Sequence, residues 1–342
     1  MKCIRHIVTL KKERGEYEVE KSEQARVVVF GGGTGLSTVL RGLKQREVHI
    51  TAIVTVADDG GSSGRLLQQF NIPPPGDIRQ VMAALSTRGP IAEELFQYRF
   101  ADEDGVPGHA LGNLMLAALT DITGDFASAI DRLSELFHIK GRVLPAANER
   151  LTLHAELADG TIVTGESKIP MYRTDIEKVY VSPQEVKPLP EAVEAIQRAD
   201  YILIGPGSLY KSILPSLLVR QIQEAVLQSD AKKVYISNLT TQNGETTSYT
   251  ASEHVEALYN HIGSPFLDTI VLHTFQNAEE EQLIERRLKR QEMSLVEQDE
   301  ERLHALGIVI KKEDIATWVD NRFIHDPIKL AHWLHTCMNH RR

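Results

Sequence analysis

At 342 residues, with 42% hydrophobic and 25% charged residues, the composition is that of an ordinary globular chain with material for a sizeable core. No apolar run approaches the roughly 18 residues of a membrane span, and a net charge of -9 argues against nucleic-acid binding, which rests on basic surface. Cys3 and Cys337 lie near opposite ends and offer no disulfide framework, as expected of a reducing cytoplasm. An anionic ligand must therefore be held by local donors.

The opening "MKCIRHIVTL" is followed by the charged "KKERGEYEVEKSEQ" instead of a cleavage site, so residues 1–24 read as a flexible extension. "ARVVVF" predicts a strand, "GLSTVLRGLK" a helix and "HITAIVTVA" a second strand; a Gly/Ser loop and the helical "DIRQVMAALS" follow. This βαβ start predicts a parallel sheet. Apolar residues at helical spacing in "PIAEELFQYRF", "LGNLMLAALTDIT" and "FASAIDRLSELFHI" make residues 90–138 a helical layer, and residues 25–140 the first part of a Rossmann-like nucleotide-binding core. From Gly141 the pattern alternates in "LTLHAELADGTIVTGES", with Asp159-Gly160 as a hairpin turn, and "KVYVSP" follows, so residues 141–187 form a β-rich insertion. The α/β rhythm returns in "ADYILIGPGSLYKSILPSLL", "KKVYISNL", "ASEHVEALYNHI" and "LDTIVLHT". Residues 188–342 are thus the second part of the core with a helical tail, and the charged stretch Asn277 to Glu301 reads as a helical face or lid. The expected fold is α/β, a Rossmann-like, mostly parallel sheet flanked by helices, with the insertion between its halves.

In open α/β sheets ligands sit outside the carboxyl ends of the strands, and four loops after strands or before helices carry chemistry there. In Gly31-Gly32-Gly33-Thr34-Gly35 the P-loop Lys and the dinucleotide spacing G-x-G-x-x-G are both missing, yet backbone N–H groups and the Thr34 hydroxyl suit a phosphate at a helix N-terminus. In "ADDGGSSGRL", the adjacent carboxylates Asp58 and Asp59 ask for a divalent metal or a ribose diol. Gly60, Gly61, Ser62, Ser63 and Arg65 read as a second anion cradle. In "IPPPGDIRQ", Asp77 falls where an N-cap belongs or faces Asp59 as a metal or ribose ligand, and Arg79 would donate to phosphate. In "LIGPGSLYKSILP", Gly205, Gly207 and Ser208 suit a phosphate and Tyr210 a stacked base or sugar. Two phosphate turns in one chain point to a diphosphate-containing ligand. In "GHALGN", His109 and Asn113 are secondary candidates, His109 being equally at home as an acid–base group or as a cap or core histidine. Asn238 and Gln242 in "SNLTTQNGETTSYT" carry the donor and acceptor mix that reads a base or sugar edge. Each loop has a plain structural alternative as a tight turn, flexible link or helix cap. The histidines around Cys337 are scattered on a helical pattern and are not read as a metal site. No activated nucleophile is evident.

The stretches "VVFGGGTGLS", "ITAIVTVADDGGSSGRL", "IPPPGDIRQ", "GHALGN", "ITGDFASAI", "GTIVTGES", "IGPGSLY" and "TQNGETTSYTASEH" resemble the gluconeogenesis factor (YvcK-like) family. Its broader group includes the 2-phospho-L-lactate transferases (CofD-like) of deazaflavin cofactor synthesis. The resemblance spans roughly residues 26–275. It implies a Rossmann-like core, a cytoplasmic bacterial protein, and a nucleotide ligand, a UDP-sugar or NAD(P). It also implies a regulatory role in growth on gluconeogenic carbon sources and in cell shape through envelope precursor supply. In the transferase branch, acidic residues at positions matching Asp58/Asp59 and Asp77 hold a divalent metal, which carries to Asp59 and Asp77 as Mg²⁺ ligands. "GGSSGR" and "PPPGDIRQ" depart from the transferase pattern. Three readings stay open: a nucleotide-sugar-binding regulator with a protein partner, a Mg²⁺-dependent transferase of phosphorus-containing groups, and a nicotinamide oxidoreductase, which the glycine spacing disfavours. A homo-oligomer is compatible with each.

Overall fold

In the run Arg26–Gly31 every residue after the first is buried, and Tyr201–Ile204 and Thr269–His273 are buried throughout. Strands covered on both faces are the mark of a parallel sheet roofed by helices on each side. The computed structural model describes residues 10–13, 16–19, 24–101, 108–172 and 174–339. Of the expected N-terminal extension, β1 (Leu10–Glu13) and β2 (Glu16–Val19) pair as an antiparallel ribbon, and the remainder up to residue 23 lies outside the described residues.

Seven parallel strands form the main sheet: β3 (Arg26–Gly31), β4 (His49–Val54), β5 (Arg142–Pro145), β9 (Tyr201–Ile204), β10 (Lys232–Ile236), β11 (Thr269–His273) and β12 (Val309–Glu313). Their order is β12-β11-β10-β9-β3-β4-β5. The chain runs from β3 toward one edge, returns to β9 beside β3, in register from Val27 opposite Tyr201 to Phe30 opposite Ile204, and then runs to the other edge. That reversal makes the β3/β9 boundary the topological switch point, where open sheets part their loops.

Between β4 and β5 lie α2 (Gly61–Phe70), α3 (Gly76–Leu85), α4 (Pro90–Gln97), α5 (Leu111–Thr123) and α6 (Phe126–Phe137). The segment "GGSSGR", expected as a loop, is the start of α2: Ser62, Ser63, Leu66 and Leu67 bury one face, a period that the glycines obscure. The insertion is a separate antiparallel sheet in the order β7-β6-β8, built from β6 (Thr152–Leu157), β7 (Ile162–Thr164) and β8 (Ile176–Ser182). Leu153, Ala155 and Leu157 alternate inward, and Gly160 takes φ +81° in the turn. The remaining connections are α7 (Pro190–Gln197), a π-helical turn (Leu209–Ile213) leading into α8 (Leu214–Leu217), α9 (Arg220–Gln228), α10 (Ala251–Ile262), α11 (Ala278–Lys289) and α12 (Glu300–Ala305). α1 (Gly33–Leu43) packs on α3 and on α13 (Pro327–Asn339). At Gly42 a Cβ would stand 2.1 Å from the Pro327 carbonyl oxygen, so the two helices touch backbone to backbone.

The C-terminal third departs from expectation. The charged stretch is helical only to Lys289; Glu292 takes φ +57°, and the chain runs without helix to α12. The expected helical tail is α13 alone. Before it come the edge strand β12 and a hairpin of β13 (Ala316–Val319) and β14 (Arg322–His325). Asp320 and Asn321 link the hairpin at φ +48° and +59°, the two positive values of a type I′ turn. β12 hides from pattern reading because an edge strand keeps its lysines, Lys311 and Lys312, in solvent. Among the described residues no helix is long and apolar enough to cross a membrane.

Candidate functional site

At the switch point the loops after β3 and β9 meet. A Cβ on Gly35 would lie 2.3 Å from the Pro206 carbonyl oxygen, so Gly35 permits a backbone contact that no other residue allows. Gly33 and Gly205 take φ +56° and +72°, in the left-handed region that favours glycine. The loops frame a crevice of about 310 Å³ lined by Gly32, Gly33, Thr34, Gly35, Gly207, Ser208, Asn238 and Gln242, and closed by Arg322, Phe323 and His325 of β14. Among the described residues no acidic side chain lines it. His325, pushed down to about 4 by burial and with Nε2 3.1 Å from the Ser237 carbonyl oxygen, is neutral, which leaves Arg322 as the crevice's cation. The N-cap position of α1, Gly32, brings no side-chain cap. A glycine-walled helix N-terminus with one arginine opposite is an anion site in its chemistry.

Two of the expected donors are engaged within the protein. Gly207 N–H donates to Asn238 Oδ1 at 3.2 Å, and the Ser208 hydroxyl donates to Glu245 while accepting Lys211 N–H at 3.1 Å. Lys211 bridges Glu245 at 2.9 Å and Glu166 at 3.4 Å, which raises its pKa against the pull of burial. The Thr34 hydroxyl sits 3.4 Å from Gln80 Oε1.

The acidic turns form a corner beneath the crevice. Asp77 lies in the first turn of α3, not at its N-cap, which is Pro75. Its carboxyl reaches across to α1, accepts Gly33 N–H and leaves no room for a Cβ on Gly32, which would stand 2.1 Å from Oδ2. Desolvation, then the charges of Asp58 and Glu166, push Asp77 up to about 7. Asp58 accepts Gly60 N–H at 2.9 Å, and its Oδ2 would be 2.7 Å from a Cβ on Gly76. Asp59 turns instead to the insertion, accepting Ser167 N–H at 2.8 Å and packing on Gly165. Of the two adjacent acids, Asp58 is therefore the one whose charge acts on Asp77, while Asp59 is held by the insertion. Among the described residues no group of three or more His, Cys, Asp and Glu side chains makes a ligand set. Two crowded carboxylates still suit a hard cation such as Mg²⁺, which takes one or two protein oxygens and completes its shell with water or phosphate.

Several expected ligand residues are turned into the fold. Ser62 Oγ lies 3.0 Å from His109 Nδ1 and 3.0 Å from Asn113 Nδ2, tying α2 to α5. Ser63 packs against Gly76. His109 is buried, and burial with the nearby Arg65 charge holds its pKa down. Arg79 is only 4% exposed; its guanidinium donates to the Phe96 carbonyl at 3.3 Å and to Gln97, satisfying the end of α4, and desolvation lowers it to about 10. Arg65 is exposed beside Gly108, and Gly61 faces open space. Tyr210 is 1% exposed, with its hydroxyl 2.7 Å from that of Tyr249 and its ring in a T-shaped contact with His261, so it has almost no free surface for a base.

Sequence reasoning missed β14, and with it Arg322 and Phe323. It also missed a larger hollow of about 670 Å³ that shares Asn238, Leu239 and Phe323 with the crevice and extends over the ends of β10 and β11 to α11.

Comparison with known proteins places the chain. Residues 27–316 match the family model described as 2-phospho-L-lactate transferase CofD. The chain is 50% identical over 309 residues to the gluconeogenesis factor of Bacillus subtilis strain 168, spanning 90% of this chain and 96% of that protein. To the gluconeogenesis factor of Halalkalibacterium halodurans it is 51% identical over 300 residues, 86% of this chain and 92% of that protein. The fold superposes on the crystal structure of a Bacillus halodurans protein with a TM-score of 0.87 at 49% identity, covering 92% of this chain and 100% of that one. A crystal structure titled as a UPF0052 family member from the same organism gives 0.86 at 49% identity, covering 91% and 99%. The chain belongs to the gluconeogenesis factor family, within the broader CofD group.

Proposed function

We propose that the protein is a cytoplasmic regulator that binds a nucleotide diphosphate ligand, a UDP-sugar in preference to NAD(P), with the diphosphate against the glycine turns at Gly32–Gly35 and Gly205–Ser208. The observation that carries the reading is the β3/β9 crevice: two glycine turns in backbone contact, no acidic side chain in the lining, and Arg322 opposite. Arg322 contributes a fork-shaped donor for phosphate oxygens. The output is a protein partner that senses the loaded state. Its physiological role, in keeping with the name of its relatives, is growth on gluconeogenic carbon sources, with cell shape following from envelope precursor supply. The dinucleotide reading ranks lower because Asp58 and Asp59, which would hold a ribose, are bound to Gly60 and Ser167 N–H groups.

A second reading, a phospho-group transferase, is favoured by the Asp58–Asp77 corner. There Mg²⁺ would offset the burial and the neighbouring Asp58 and Glu166 charges that together push Asp77 up to about 7, and would polarise the diphosphate. Titrating UDP-glucose, UDP-N-acetylglucosamine, NADP and GDP, each with and without Mg²⁺, and weighing the ligand afterwards separates the two. A UDP-sugar recovered intact supports the regulator, a consumed ligand supports the transferase, and binding of none overturns both. Complementation on a gluconeogenic carbon source with Gly207→Val tests the physiology: growth equal to wild type would overturn the link between crevice and role.

A further inference from the structure

We propose that the hollow bounded by the carboxyl ends of β10 and β11, the α11 face and Phe323 is the seat of the sugar of this ligand, whose diphosphate lies in the adjoining crevice. The inference rests on the nucleotide reading above and extends it to the chemistry of the third moiety.

The two spaces are continuous through Asn238, Leu239 and Phe323, and at about 670 Å³ the hollow has the size of a small-molecule site. Their linings differ in charge. The crevice holds no carboxylate, whereas the hollow is walled by Glu281, Glu285 and Glu297, and its one cation, Lys312, is paired with Glu300. Such a wall repels phosphate and fixes the direction of the ligand, diphosphate first and neutral group beyond. Ionised carboxylates only accept hydrogen bonds. A pyrimidine offers one ring N–H and two carbonyl oxygens, which would face these carboxylates unfavourably, whereas a hexose brings several hydroxyl donors. Phe275 and Phe323, near-parallel at 12° with centroids 6.0 Å apart, supply the apolar wall for the C–H face of a pyranose ring.

Among the described residues, two buried donors in the wall lack partners. His273 is 8% exposed, and its Nδ1 accepts Ile315 N–H at 3.3 Å, which puts the proton of the neutral ring on Nε2, an atom with no partner. Asn238 is 9% exposed; its Oδ1 is held by Gly207 N–H and its Nδ2 has none. Leaving a buried donor unpaired is costly. A sugar oxygen that approaches between acceptor carboxylates and these two donors satisfies both kinds of group.

Calorimetric titration of UDP, UDP-glucose and UDP-N-acetylglucosamine into wild type, the double variant Glu281→Gln/Glu285→Gln and Phe275→Ala tests this. Wild type should bind at least one UDP-sugar more tightly than UDP, and both variants should lose roughly tenfold for that sugar with UDP unchanged. Hydrogen exchange should show protection of residues 273–298 by the UDP-sugar and not by UDP. Equal affinity of wild type for UDP and both sugars, or equal losses for UDP and UDP-sugar in the variants, overturns the sugar seat while leaving the diphosphate site standing. Wild type that binds neither UDP nor a UDP-sugar overturns the nucleotide reading itself.

Discussion

Two glycine-rich turns follow adjacent strands and look alike in sequence, "GGGTG" after β3 and "DDGGSSGR" after β4, yet the protein uses them differently. In the first, the glycines keep side chains out of a space: Gly35 admits the Pro206 carbonyl, Gly32 admits the Asp77 carboxyl, and what is left is a crevice. In the second, the glycines and serines let one helix sink into others: Gly64 closes on the Asp59 backbone, where a Cβ would stand 2.0 Å from the carbonyl oxygen, and Ser62 is spent on His109 and Asn113. Glycine serves close approach in both cases. What approaches differs: in the first, a neighbouring strand's loop and a carboxylate, with a crevice left between them, and in the second, the chain leading into the same helix; the composition of a turn does not distinguish them.

The largest expected effect sharpens the first half of the comparison. Gly35→Val places its Cβ inside the Pro206 carbonyl oxygen, which only separation of the two loops relieves. Overpacking of this kind costs about 1–3 kcal/mol or more, and the same separation dismantles the crevice. A lowered urea midpoint together with loss of nucleotide binding is expected; binding at wild-type affinity would detach the ligand from this turn. Gly207→Val should likewise weaken binding more than Ser208→Ala, because the Ser208 hydroxyl is already committed to Glu245.

Asp77 sits between the two turns, and its ionisation tests whether the corner is built for a cation. Its folded pKa is raised to about 7, so between about 4 and 7 the unfolded chain releases a proton that the folded protein keeps. Stability therefore falls as pH rises through that window, by up to about 1.4 kcal/mol per pH unit, and the full cost is present above 7. Asp77→Asn removes this slope: urea midpoints should match wild type at low pH and exceed it at pH 8. Mg²⁺ should recover the deficit of wild type at pH 8 and do nothing for the variant. A wild-type slope that Asp77→Asn leaves unchanged would place the titration elsewhere.

Much of the fold is legible because β3, β4, β9 and β11 are largely apolar runs, β10 ends on the apolar residues 234–236, and the insertion alternates cleanly around Asp159-Gly160. β12 escapes notice as a solvated edge, and the β13–β14 hairpin escapes although "WVDNRF" holds its turn signal in Asp320-Asn321. That miss cost the site its arginine, since Arg322 is far in sequence from both glycine turns and only the hairpin brings it over the crevice. Arg79, His109 and Tyr210 make one point: chemistry-bearing side chains also serve packing, and the direction in which a side chain points is a tertiary fact. Arg79 completes the end of α4, and Tyr210 meets Tyr249.

Ser62→Ala sharpens the second half of the comparison. It leaves the His109 and Asn113 side chains short of their shared partner in a buried place, at a cost of about 1–3 kcal/mol. Thermal unfolding should register the loss while nucleotide affinity stays within twofold of wild type. Arg322→Gln should do the reverse: an exposed hairpin position leaves stability within about 0.5 kcal/mol, while affinity for UDP falls roughly tenfold and loses part of its salt dependence.

The smallest effect is the most exacting. Gly61 takes φ +48° at the start of α2, but nothing lies within 4 Å of where its Cβ would be. Gly61→Ala therefore meets no neighbour and bears only the left-handed strain of an L residue, about 1–2 kcal/mol. If the β4 turn is packing, calorimetry will find the affinity for UDP-sugars unchanged behind that small loss of stability. If it is a second phosphate cradle, a methyl group on the open side of its first helical residue will stand where the anion approaches, and affinity will fall alongside the same small loss of stability. That result would make the two turns alike in function as well as in sequence, with the diphosphate lying across the Asp58–Asp77 corner instead of along the β3/β9 crevice.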